Sequence, residues 1–173
     1  GAWAASQAMR ISHQFPGGSI TEGDFRDRLC RMFATQVEKR TRGNLKFSIY
    51  PNSALMAPNA QFGALRKGGL DLALVPLSYA GAEAPEANIG LMPGLVTSYE
   101  QGYAWKNAEI GKEFNRMLAE RGVVILSWIW QAGGVASRGA VWSASGSESK
   151  RGPPAIGFST YVSGLCPSIA SIW

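Results

Sequence analysis

Met9-Arg10-Ile11-Ser12-His13-Gln14-Phe15-Pro16-Gly17-Gly18 opens a unit that runs on to Ser53 and decides the fold. Met9 to Ser12 alternates apolar and polar residues, the period of two that marks a half-buried strand. Pro16 has no N–H to donate and the glycine pair accepts unusual backbone angles, so the strand ends in a polar-aromatic turn. Ser19-Ile20-Thr21-Glu22 has the spacing of a capping box, in which a hydroxyl and a carboxylate satisfy orphan N–H groups. Beyond it, Phe25, Leu29, Met32, Phe33, Gln36 and Val37 recur at helical spacing and form the expected buried stripe. Arg26, Asp27, Arg31, Glu38 and Lys39 fall mostly outside that stripe. Arg42-Gly43-Asn44 stops the helix. Leu45, Phe47 and Ile49 then alternate with Lys46, Ser48 and Tyr50 in a second strand, which leaves through Tyr50-Pro51-Asn52-Ser53.

The pattern continues downstream. Pro58-Asn59 opens a helical stretch that closes at Lys67-Gly68-Gly69. Leu70-Asp71-Leu72-Ala73-Leu74-Val75 is a nearly all-apolar run, as expected of a parallel strand covered on both faces. Pro76 to Gly81 forms the loop at its carboxyl end. Ser98 to Asn107 and Glu109 to Arg121 read as helices, and Val123 to Trp130 as another buried strand. Strands alternating with helices predict an α/β sheet with right-handed crossovers. In such sheets ligands bind beyond the carboxyl ends of the strands, which draws attention to Ser12–Gly18 and Pro76–Gly81.

Of the 173 residues, 46% are hydrophobic and 17% charged, enough to bury a sizeable core. The chain lacks an apolar run of about 18 residues, so no membrane-inserted span is expected. The net charge of +5 is spread over basic residues mixed with acids, which reads as solvated helix faces rather than a nucleic-acid patch. Gly1-Ala2-Trp3-Ala4-Ala5 has the small-x-small look of a signal-peptidase site. Two readings stand for residues 1–8: a signal-peptide remnant with the mature start near Ala5, or an ordinary frayed terminus. Cys30 borders the helix stripe and reads as a small buried hydrophobe; it could pair with Cys166 only in a secreted protein. Residues 140–173 carry Glu148, Lys150 and Arg151 as their charges, with eight serines, three prolines and four glycines. No helix or strand period survives there, so an irregular tail is expected, and a shifted reading frame is one hypothesis for its origin.

The inventory of reactive groups is thin. His13 is the single histidine, and the aspartates are Asp24, Asp27 and Asp71. Asp24 and Asp27 read as a solvated helix turn and Asp71 as the start of a buried strand, so no Ser-His-Asp relay suggests itself. One histidine and two distant cysteines cannot supply a zinc site, and neither glycine pair matches a phosphate or dinucleotide loop. No catalytic residue, metal or cofactor is therefore expected. Ligand-contact candidates are His13, Gln14 and Phe15 after the first strand, and Ser78 and Tyr79 after the third. Trp130 and Gln131 follow at the end of the fourth. Each has a structural alternative: Phe15 as a core plug, Ser78 and Tyr79 as loop solvation, Trp128 and Trp130 as core packing on one strand face.

In order along the chain, several segments resemble the solute-binding proteins of the tripartite ATP-independent periplasmic (TRAP) transporters, which include the C4-dicarboxylate-binding proteins. They are Met9 to Ser12 with its Pro-Gly turn, Val37-Glu38-Lys39-Arg40-Thr41-Arg42-Gly43, and Leu45 to Leu55 with Pro51-Asn52-Ser53. Leu65-Arg66-Lys67-Gly68-Gly69-Leu70-Asp71, Leu91-Met92-Pro93-Gly94-Leu95 with Tyr99-Glu100, and Glu109-Ile110-Gly111-Lys112-Glu113 complete the set, which covers Met9 to Arg138. The resemblance implies a periplasmic-binding-protein-like α/β fold of two lobes closing on an organic acid, a carboxylate. It implies delivery of that solute to the membrane permease subunits of a secondary transporter, and a periplasmic protein that is not an enzyme. Such proteins are about twice as long. The expected domains are a first α/β lobe over 9–125, a crossover into the second lobe over 126–139, and the irregular tail over 140–173. The reading is thus of an incomplete, truncated copy.

The chain departs from the family at Gly133-Gly134, where many members place an arginine. The family's main carboxylate-binding arginine has no counterpart in the tail. By position, the resemblance implies that Gln14 and the Pro76–Tyr79 loop match the family's contacts after the first and third strands, and that Trp130 and Gln131 line the entry to the second lobe. The rival readings are a non-transport α/β enzyme using His13 as base and a basic interaction module whose affinity would fall steeply with salt.

Overall fold

The computed structural model describes residues 8–92, 95–132, 135–137, 157–159 and 165–172. Of the residues 1–8 read as a signal-peptide remnant or frayed terminus, 1–7 lie outside the described residues, as do the Gly133-Gly134 departure and most of the 140–173 tail. Strands β1 (Met9–His13), β2 (Phe47–Tyr50), β3 (Leu72–Pro76) and β4 (Val124–Ala132) form where the apolar periods predict them. Helices α1 (Phe25–Arg40), α2 (Gln61–Arg66), α3 (Tyr99–Trp105) and α4 (Glu109–Glu120) alternate with them. Short strands β5 (Val135–Ser137) and β6 (Gly157–Ser159) pair antiparallel, and β7 (Leu165–Ile172) joins the main sheet.

The main sheet runs β2-β1-β3-β7-β4. β1 lies parallel to both β2 and β3, with Ile11 opposite Ile49 on one side and Leu72 on the other. β3 is buried along its whole length, as its all-apolar run requires. Leu72 and Leu74 pack with Ile11, Cys30 and Ala34 under α1, while Ala73 and Val75 pack with Phe62, Leu65, Phe114 and Leu118 on the other face. β7 pairs antiparallel with β4 along its length and with β3 over Ser168–Ile172; like β6, it is drawn from the tail expected to be irregular. Its serines and Pro167 give no alternation to read. The strand forms because the neighbouring edges of β3 and β4 offer backbone groups that any extended segment can satisfy.

Two local expectations are corrected. Ser19 to Glu22 is a closed turn, not the helix start: Ser19 Oγ accepts from the Glu22 N–H at 3.0 Å and the Ser19 N–H donates to the Glu22 carbonyl. Gly23, at φ +100°, then redirects the chain, and Asp24 becomes the α1 cap by accepting from the Arg26 N–H at 2.9 Å. The buried face of α1 is also rotated from the predicted stripe. Asp27, Cys30 and Ala34 point inward, while Phe25, Leu29 and Met32 are 46%, 40% and 47% exposed.

Candidate ligand-binding site

β1 has β2 on one side and β3 on the other, so the chain leaves β1 and β3 in opposite directions across the sheet. That reversal opens a crevice at the carboxyl ends of β1 and β3, the place where open α/β sheets bind ligands. The Ser12–Gly18 turn and the Leu77–Ala80 helical turn stand there.

The first turn is fixed from two sides. Asn52 and Ser53, both with φ +56°, aim their N–H groups at the Phe15 and His13 carbonyls at 2.9 and 3.0 Å. From the other side, fully buried Asp27 accepts from His13 Nε2 at 2.9 Å and from the Gly18 N–H at 2.9 Å. Arg31 donates to the same carboxylate through Nε at 2.7 Å. Burial alone would raise the Asp27 pKa. The Arg31 and Gly18 hydrogen bonds outweigh it and hold the carboxyl below its ordinary range. Burial lowers the His13 pKa against the opposing pull of Asp27, so the ring is a neutral imidazole donating through Nε2. Asp27 is thus buried, correcting its reading as part of a solvated turn. A charged side chain reaches the interior only with partners, and His13 lies fourteen positions back in the chain.

Phe15 is buried, stacked on the His13 ring at 5.9 Å between centroids, and covered by the Arg26 guanidinium at 3.7 Å. Arg26 in turn donates to Gln131 Oε1 at 3.2 Å, linking the β1 turn to the end of β4. Its remaining donors grip Asp24 at 2.8 and 2.6 Å, so its charge is already matched. Gln14 is half-buried, and its Oε1, like Ser12 Oγ and His13 Nδ1, is buried without a protein partner. Polar atoms left open in this way are what a crevice keeps for solute or water.

His13, Phe15 and Gln131 are therefore brought together, with Gln14 beside them. Ser78 is half-buried and Tyr79 is 40% exposed at the end of β3. Trp130 goes elsewhere. Its ring stacks on Trp128 at 5.9 Å and meets Trp105 edge-on at 5.7 Å, which is the core-packing alternative. A hollow of about 300 Å³ opens beside this cluster, lined by Tyr103, Lys106, Asn115 and Ser127 among others. A larger, apolar hollow of about 440 Å³ lies under α1 between Leu29, Met32, Phe33 and Ile129, with nothing cationic to hold an acid. Arg26 and Asp27 escaped the sequence reading as scattered helix charges. Their signal was position, since both stand in the first turn of the helix that follows the candidate loop.

Cys30 offers no nucleophile: burial pushes its thiol up to about 12. Polar turns at a sheet's switch point make this end of the lobe the candidate ligand-binding site. The chain belongs to the bacterial extracellular solute-binding proteins, family 7 (DctP), whose pattern matches residues 19–140. It is 67% identical over 138 residues to a solute-binding protein of Albidiferax ferrireducens, covering 80% of this chain and 41% of that one. It superposes with a TM-score of 0.72 on a TRAP periplasmic solute-binding protein from Rhodoferax ferrireducens with bound malonate, at 67% identity. That match covers 76% of this chain and 42% of the other. A TRAP receptor from Chromohalobacter salexigens with bound D-glucuronate shares the fold at 24% identity, with a TM-score of 0.67 over 78% and 43% of the two chains. The chain thus spans about two fifths of the length of these relatives, which are solute-binding proteins.

Proposed function

We propose that this chain is the first lobe of a periplasmic receptor that closes on a small organic acid and passes it to the permease subunits of a TRAP transporter. The observation that carries the reading is the 67% identity, over most of the chain, to a receptor crystallised with malonate. Residues 9–125 form the lobe and 126–139 lead into its partner lobe. Gln14, with Phe15, Ser78, Tyr79 and Gln131, supplies one wall of the cleft, and His13 supports it from behind. Closure of two lobes about a hinge then traps the solute with no bond made or broken. The family match ends at residue 140, beside the change of composition, which supports reading the tail as a separate segment.

Because Arg26 is already paired with Asp24, this wall offers no free cation among the described residues, and the chain alone is expected to bind malonate weakly or not at all. Joining its residues 9–132 to the second portion of the 67% identical relative should restore micromolar malonate binding by isothermal titration. A folded chimera indifferent to malonate and other small carboxylates would overturn the proposal.

A further inference from the structure

The buried cluster under the β1 turn does more than anchor α1. One carboxylate holds both ends of a loop: Asp27 Oδ1 takes the His13 ring where the strand ends, and Oδ2 takes the Gly18 N–H where the loop ends. Arg31 spans both oxygens, through Nε at 2.7 Å and Nη2 at 3.4 Å, which keeps the group ionised and oriented. The four residues between the clamped ends include Gln14, whose Oε1 is buried without a protein partner. On the opposite side the Phe15 and His13 carbonyls are fixed by Asn52 and Ser53. The loop therefore depends on one ionised side chain for its N–H anchor and on a second turn for its carbonyl anchors.

We infer that Asp27 is a positioning residue for solute binding: it touches no solute, and it sets the shape of the loop that presents Gln14. The ligand half of this inference rests on the proposed receptor role; the clamp itself does not. An ionised acceptor suits the task because hydrogen bonds to charged groups are stronger than neutral ones and tolerate burial only in a fixed geometry. The clamp also dictates a tautomer. With Nε2 donating to a carboxylate, His13 Nδ1 must be bare, in agreement with its lack of a protein partner.

Nuclear magnetic resonance on the unmutated chain gives the first test and needs no variant. The imidazole nitrogens should report an Nε2–H tautomer at neutral pH, and the Gly18 amide should exchange slowly although Gly18 is exposed. An Nδ1–H tautomer or a freely exchanging Gly18 amide would overturn the clamp. In Asp27→Asn, the Gly18 amide should exchange on the order of tenfold faster or more, as loss of a bond to a charged acceptor implies. The His13 spectrum should change with it, while amides of α4 keep their rates. Equal acceleration throughout the sheet would mean a merely structural residue. Malonate titrated into the chimera that carries residues 9–132 should move the Gln14 to Gly18 amides, and the shifts should shrink when the chimera carries Asp27→Asn. A protected Gly18 amide with no malonate shift in the loop of a chimera that does bind malonate would keep the clamp and remove the ligand role of the loop.

Discussion

α1 and α4 cover opposite faces of the same sheet, yet they are fastened by opposite chemistry. α4 lays Phe114 and Leu118, 2% and 1% exposed, into the larger core and leaves its charged residues in water. α1 sends a carboxylate inward to meet a histidine and leaves Phe25, Leu29 and Met32 largely uncovered. The α4 face is finished by the chain at hand. The α1 face is organised at its first turn, where the candidate site lies, and open along the rest. The turn of the candidate site and the completed core thus sit on different sides of β3.

The largest effects should separate the two fastenings. Phe114→Ala removes a buried ring and should cost about 3–5 kcal/mol by chemical denaturation, nearly independent of pH. Asp27→Ala leaves His13 and Arg31 without their acceptor and should cost a similar amount, about 3–5 kcal/mol, at neutral pH. That penalty should fade in acid. The folded pKa of Asp27 lies below the ordinary 3.8, so its contribution is full above that value and lost as pH falls through the folded pKa. His13 also has a lowered folded pKa. The unfolded chain takes up that proton first, so stability should begin to fall below pH 6.5 as well. Denaturant midpoints at pH 7.5 and 5.5 would show the His13 effect, and a series continued from pH 4 to below 3 the Asp27 effect. A wild-type midpoint that does not move over this range would refute the charged fastening of α1.

A middle-sized effect is expected at the seam between α3 and β4. Gly102 faces Trp130 so closely that an added Cβ would lie 2.8 Å from the indole Cγ. Gly102→Ala should therefore force the ring aside at a cost of about 1–3 kcal/mol and shift the tryptophan fluorescence of the cluster. An unchanged spectrum and stability would mean that the aromatic stack has slack.

Much of this architecture is legible from residue patterns, because a strand covered on both faces must be apolar throughout and a half-covered one must alternate. Leu72 to Val75 obeys the first rule, whereas Met9 to Ser12 alternates in sequence but its strand ends in three consecutive buried residues, Ile11, Ser12 and His13, so its alternation marked the strand and not its burial. Asp27 was illegible for a different reason. Helical periodicity compares a residue with neighbours three or four places away, whereas the burial of Asp27 is decided by His13 and Gly18 on another element. Arg26 escaped likewise, since its link to Gln131 spans 105 positions. β7 was hidden because Pro167 and its serines break any period, and its pairing is a matter of backbone alone. Of the candidate contacts, Trp130 shows the same limit: a tryptophan near a cleft and a tryptophan in a core read identically until Trp105 and Trp128 are placed around it.

The smallest effect bears most directly on the open face. Leu29 and Met32 sit at helical spacing, where burial would be expected, yet both remain 40% exposed or more. Hydrophobic stabilisation scales with the area removed from water, so a leucine still this exposed forfeits a large part of what full burial would give. Leu29→Ala should then cost roughly 1 kcal/mol or less, against about 2–5 kcal/mol for Leu118→Ala on the sealed face. The two variants share their chemistry, so the ratio of their costs measures how far each face is closed in solution. Equal costs at all protein concentrations would mean that α1 is covered within the chain. A Leu29→Ala cost that grows with protein concentration would mean that other copies cover it, and a small, constant one would mean that the face stays open.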